Sequence, residues 1–133
     1  MTIDARIIQA INEAVAEAGQ PDTLARRLIA RSDVLVENFK TGTLAKYGLG
    51  FDDLHGEFPR LIYCSITGFG QTGPYASRPG YDALIQAMGG VMSLTGEPDG
   101  TPMKIGVSIA DMMSGMYAGM SILAAVRHQQ LTG

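Results

Sequence analysis

The chain has 133 residues, 46% of them hydrophobic, and a formal net charge of −3 at pH 7. That is enough apolar material for one domain with its own core, and the charge gives no electrostatic basis for nucleic acid or an acidic membrane as partner. Cys64 is the only cysteine, which excludes an intrachain disulfide and makes a reducing, cytoplasmic compartment the simplest expectation.

The opening residues MTIDARIIQA carry an early acid and no apolar run, so they do not read as a signal peptide. Ile3 to Ala18 reads as an amphipathic helix with Ile7, Ile8, Ile11 and Val15 on its apolar face, stopped by Gly19 and Pro21. Asp22 then caps a second helix, Thr23 to Ala30. Its Arg26 and Arg27, with Arg31 just beyond, read as a solvated face that complements the helix dipole. Asp33 to Glu37 is a short strand ending in the polar turn Asn38 to Gly42. Thr43 to Tyr47 is a short helical piece that stops at Gly48, and Phe51 to Glu57 makes another helical turn. Asp52 and Asp53 read as a cap and a solvated first turn. His55 beside two adjacent aspartates lacks metal-ligand spacing, so no metal is expected there.

Leu61 to Ile66 is the clearest strand, apolar throughout and expected to be central and covered on both faces. It runs into a glycine-rich loop in which Gly68, Gly70 and Gly73 fit a G-x-G-x-x-G string. Pro74 follows at once, so the loop does not open into the helix that a dinucleotide fingerprint requires. Tyr81 to Gly90 fits a helix, and Asp99-Gly100 could turn a hairpin between Val91–Thr95 and Pro102–Val107. A long helix is expected from Ser108 to Gln130, with Ile109, Met112, Met113, Met116, Met120, Leu123 and Ala124 facing a core. Its uncharged stretch, Met112 to Val126, is too short to span a bilayer.

Asp111 is the only charged residue between Lys104 and Arg127, and Gly115, Ala118 and Gly119 follow it on the same helix. The residues allow two readings. Ser108-x-x-Asp111 is a capping box, with Asp111 reaching back to the Ser108 amide. Alternatively, a lone carboxylate among small residues is a catalytic group, kept ionised by the helix dipole.

Four blocks, VENFKTGTLAKYGL, PRLIYCSITGFGQTGPYASRPGYD, GGVMSLTGEPDGTP and the final VSIADMMSGMYAGMSILAAVRHQQLTG, together resemble the class III CoA-transferases in order and spacing. That family includes formyl-CoA transferase, carnitine CoA-transferase and alpha-methylacyl-CoA racemase. The resemblance runs from about Thr23 to Gly133 and implies an α/β fold: part of a Rossmann-like large domain with parallel strands, flanking helices and a long C-terminal helix. It implies exchange of CoA between carboxylic acids, with Asp111 as the nucleophile that forms an aspartyl covalent intermediate. Asn38, Phe39, Lys46, Arg78 and Tyr81 stand at positions implied to contact CoA, with Lys46 near the nucleotide phosphates. No permanently bound cofactor is implied; a coenzyme A thioester is the substrate and a small carboxylic acid its partner.

The racemase branch has a histidine acid/base where this chain has Tyr81. A phenol, whose ordinary pKa is about 10, removes an alpha proton poorly at neutral pH, so the transferase reading is preferred. Family members are longer. The chain therefore reads as a single domain equivalent to a central piece of the large domain, cut at both sides or fused to a foreign start, with residues 1–20 outside the resemblance. Self-association into a homo-oligomer is expected to cover its faces. The competing reading is a non-catalytic truncated remnant, an oligomeric or CoA-binding domain.

Overall fold

The computed structural model describes residues 24–132, so the expected Ile3 to Ala18 helix lies outside the described residues. The elements in order are α1 (Leu24–Ile29), β1 (Val34–Glu37), a 3₁₀ turn (Leu44–Tyr47), α2 (Phe51–His55), β2 (Ile62–Ser65), α3 (Asp82–Met88), a second 3₁₀ turn (Val91–Leu94) and α4 (Ile109–Thr132). The class is α/β, as expected. β1 and β2 pair in parallel: Ile62 N–H donates to Asp33 O and Ile66 N–H to Glu37 O, both at 2.9 Å and in the same register. A parallel pair needs a crossover, and the segment carrying the first 3₁₀ turn and α2 supplies it. The chain forms two compact units, whose described parts are residues 24–36 with 42–64, and residues 37–41 with 65–132.

The first unit is built around Ile29, Leu49 and a fully buried Leu54, against which Leu35, Leu44, Tyr47, Phe58, Leu61 and Tyr63 pack. Gly48 ends the 3₁₀ turn at φ 65°, a left-handed conformation that glycine adopts without a Cβ penalty. This orients its carbonyl toward α1, where the Arg26 guanidinium donates to it at 2.7 Å and also pairs with Glu57. Arg26 is therefore a tie across the unit rather than part of a solvated face, because its long side chain reaches a carbonyl that the turn leaves unpaired. Asp53 accepts from the Gly50 amide at 3.0 Å, which is the capping role expected of the acids in α2. β2 is half-buried along its length rather than covered on both faces, since among the described residues the sheet has only two strands.

In the second unit, residues 65–81 form a long irregular loop pinned at several points. The Glu37 carboxylate accepts from the Phe39 amide at 2.8 Å and from the Ser65 hydroxyl, to which Gln71 in turn donates. Thr41 donates its hydroxyl to Ala76 O at 2.9 Å, and the Arg78 guanidinium lies 4.4 Å over the Tyr75 ring. Gly68 and Gly80 bring their backbones into direct contact: a Cβ on either would lie 2.3 Å from the other's Cα.

The expected hairpin does not form. Gly90, at φ 80°, starts the 3₁₀ turn Val91–Leu94 instead. There the Ser93 amide and hydroxyl both donate to Gly90 O, giving the backbone a local partner in place of a ladder. Pro102 cannot donate at the start of the second expected strand.

α4 extends for 24 residues, and none of its residues is buried. The apolar positions expected to face a core are exposed or only partly covered, with Met116, Met120 and Leu123 more than half exposed. The apolar spacing specifies a helix, but among the described residues no element buries the positions expected to face a core. The helix is also long and apolar enough to cross a membrane, with mean hydropathy 1.4. It exceeds the uncharged 112–126 stretch because Asp111 and Arg127 lie inside it rather than at its ends. Core helices of globular domains share that length and composition, and a carboxylate in its first turn would be costly in hydrocarbon.

Candidate functional site

A cavity of about 550 Å³ opens in the second unit. Its walls come from Asn38 to Thr41 directly after β1, Ile66 to Gly68 directly after β2, Ala76 to Tyr81 with Ile85, and Ala110, Asp111, Ser114 and Gly115 of α4. The first two groups lie at the carboxyl ends of the parallel strands, the position at which open α/β sheets receive ligands. The glycine-rich loop contributes Gly68, whose backbone approaches that of Gly80, and both line the cavity.

Asp111 is the third residue of α4, exposed and on the cavity wall, where the helix N-terminus favours a negative charge. The capping box is absent. No hydrogen bond from another described residue reaches the Asp111 carboxylate. The amides of the first turn are met from outside the helix. Asp82, at the start of α3, accepts at Oδ1 from the Ala110 amide at 2.8 Å and, at a longer 3.4 Å, from the Asp111 amide. Because Asp82 takes over capping, Asp111 is available to a ligand.

Of the residues assigned by resemblance, Asn38, Phe39, Arg78, Tyr81 and Asp111 line this cavity together. Tyr81 is 75% exposed. Lys46 lies on the 3₁₀ turn of the first unit and is not among the lining residues. Sequence reasoning passed over Lys40, which does line the cavity, and also Asp82 and Gln86 behind it. The signal for the last two was a polar pair at i and i+4 on α3, with Gln86 falling among the apolar positions Leu84, Ile85 and Met88. Among the described residues, no group of three or more His, Cys, Asp or Glu side chains could hold a metal ion.

Residues 17–133 match CoA-transferase family III. The chain belongs to this family. The succinate–glutarate CoA-transferase of Agrobacterium fabrum is 54% identical over 121 residues, covering 90% of this chain and 30% of that protein. The human succinyl-CoA:glutarate CoA-transferase is 44% identical over 108 residues, covering 81% of this chain and 25% of its own length. Among solved structures, a CAIB/BAIF family protein from Brucella suis superposes with a TM-score of 0.80 at 57% identity, covering 83% of this chain and 29% of that one. The chain thus spans about 25–30% of the length of these relatives. The exposed apolar face of α4 belongs to a segment that such relatives embed in a much longer protein.

Proposed function

We propose that this segment carries the covalent step of CoA transfer between carboxylic acids, with Asp111 as nucleophile, succinyl-CoA as donor and a small dicarboxylate such as glutarate as acceptor. The observation that carries the reading is the placement of Asp111: a carboxylate with no hydrogen-bond partner among the described residues, at a helix N-terminus, on the wall of a cavity it shares with Asn38, Phe39, Arg78 and Tyr81. The donor and acceptor follow the names of the relatives.

A carboxylate oxygen of Asp111 attacks the thioester carbonyl carbon, the C–S bond breaks, and CoA leaves as thiolate, giving a mixed succinyl–aspartyl anhydride. The thiolate then attacks the Asp111 carbonyl, releasing succinate and leaving an aspartyl-CoA thioester. The acceptor carboxylate displaces CoA from that thioester to form a second anhydride, and the thiolate attacks its acyl carbon to give the new acyl-CoA and free Asp111. Each displacement exchanges one acyl bond for another, so no redox partner is required. The arrangement supports transferase over racemase chemistry, because the cavity presents Tyr81 where the racemase branch has its histidine.

The test is incubation with succinyl-CoA and hydroxylamine followed by mass mapping. A hydroxamate at Asp111 is expected, and its absence from the wild-type chain would overturn the assignment. Proton exchange at the alpha carbon without an adduct would instead favour the racemase.

Lys46, placed by resemblance, and Lys40, on the cavity wall itself, are candidate cations for the nucleotide phosphates. Substitution of Lys40 by alanine is expected to weaken CoA binding about tenfold, the scale of a lost charge-assisted hydrogen bond. Titration of Lys40→Ala beside Lys46→Ala assigns the contact, and unchanged affinity in Lys40→Ala removes Lys40 from it.

The uncovered face of α4 favours a second property, self-association. Exposed Met112, Met116, Met120 and Leu123 form a contiguous apolar strip of the kind that monomers rarely leave open. Light scattering is expected to report an oligomer, and a monodisperse monomer at micromolar concentration would count against it. An oligomer that yields no Asp111 adduct would favour the non-catalytic remnant.

A further inference from the structure

The buried polar group behind the cavity, Gln86, is 1% exposed and fully engaged. Its Nε2 donates to Asp82 Oδ2 at 2.7 Å and to Val107 O at 3.3 Å, while its Oε1 accepts from the Ile105 amide at 2.8 Å. Asp82 turns its other oxygen to the Ala110 and Asp111 amides. One carboxylate and one amide, a helical turn apart on α3, thereby hold both the segment entering α4 and the first turn of α4. These are the second and third amides of the helix, donors that an N-cap side chain normally satisfies. Ser108 stands at the N-cap, since its carbonyl accepts from the Met112 amide at 3.0 Å. Among the described residues, its hydroxyl makes no hydrogen bond. The cap has passed to another element.

We propose that Asp82 is a positioning residue for Asp111: it anchors the backbone amides at the start of α4, and Gln86 locks it to the incoming segment. This rests on the reading of Asp111 as nucleophile. Neither Asp82 nor Gln86 lines the cavity, so neither is placed to touch substrate. Their effect runs through the backbone. A helix start held by a side chain of its own N-cap could shift with that cap, whereas one held from α3 keeps a fixed relation to Tyr81 and Ile85, the cavity residues on either side of Asp82.

The test compares Asp82→Ala, Asp82→Asn and Ser108→Ala in three measurements: trapping at Asp111 by hydroxylamine under saturating succinyl-CoA, CoA affinity, and amide hydrogen exchange at Ala110 and Asp111. Asp82→Ala is expected to slow trapping roughly 10–100-fold, the scale of a misplacement near 1 Å, with CoA affinity unchanged and the two amides exchanging about tenfold faster. Asp82→Asn keeps a carbonyl oxygen for the amides but turns an NH2 donor toward Gln86 Nε2, so it is expected to fall between wild type and alanine, and Ser108→Ala is expected to match wild type. Unchanged trapping in Asp82→Ala overturns the proposal. So does Asp82→Asn failing as badly as alanine, since the retained oxygen at the two amides would then contribute nothing. Should Asp82→Ala not fold, the asparagine variant alone still decides in this way. If the wild-type chain forms no adduct, the nucleophile reading fails separately. Hydrogen exchange then still decides the anchor: faster exchange in Asp82→Ala supports it, and unchanged exchange overturns it.

Discussion

Substitution of Asp111 by asparagine is expected to reduce hydroxylamine-trappable acyl transfer by roughly a thousandfold or more, because the amide has no anionic oxygen with which to open the thioester. The same substitution is expected to leave stability within about 0.5 kcal/mol of wild type, as for surface changes that break no cap. Those two outcomes belong together. Had Asp111 been the cap of α4, truncating its side chain would cost about 1 kcal/mol. With the first-turn amides held by Asp82, the Asp111 side chain has no structural partner to lose among the described residues. Urea unfolding of Asp111→Asn and Asp111→Ala beside the trapping assay reads both arms. A loss near 1 kcal/mol in Asp111→Ala with trapping intact would restore the capping reading and remove the catalytic one.

The division between what the chain disclosed in advance and what it did not follows the range of the interactions. The short elements were legible because local features set them: the glycine stop at Gly48, the β-branched and apolar run of β2, and the acids opening α2. Asp111, Asn38, Phe39, Arg78 and Tyr81 were singled out through motif blocks, and the structure lines one cavity with these five. Contacts over long sequence separation were not legible. Arg26 reaches Gly48 and Asp82 reaches Ala110, each more than twenty residues away, and no periodicity encodes such a choice of partner. The expected hairpin failed for the opposite reason: Asp99-Gly100 is a valid turn signal, but Gly90 and Ser93 offer the backbone a nearer solution. The 3- and 4-residue spacing of α4 identified a helix, but the positions it assigned to a core are exposed or only partly covered among the described residues.

The second large effect is expected at Gly80. Its backbone is not in the left-handed region, so alanine is conformationally acceptable there and only space decides the outcome. A Cβ at Gly80 would meet Gly68 Cα at 2.3 Å and Gly68 C at 3.1 Å, and the reciprocal Cβ at Gly68 would meet Gly80 Cα at 2.3 Å and Gly80 N at 2.6 Å. A flexible side chain could rotate away from such an intrusion, but these neighbours are backbone atoms. Relief therefore requires moving the loop after β2 or the segment that leads into α3, and both carry cavity residues. Overpacking ordinarily costs about 1–3 kcal/mol, and a backbone-to-backbone clash belongs at the upper end of that range. Gly80→Ala is thus expected to lower the urea midpoint and to weaken CoA binding at the same time, since the displaced backbone is the cavity wall. Gly119→Ala supplies the contrast: it lies within α4 with open space around its Cβ position, so alanine there should gain up to about 1 kcal/mol of helix stability. Equal stability and equal CoA affinity in Gly80→Ala and wild type would show that the two backbones do not meet. A destabilised Gly80→Ala that retained full CoA affinity would place the ligand away from this wall.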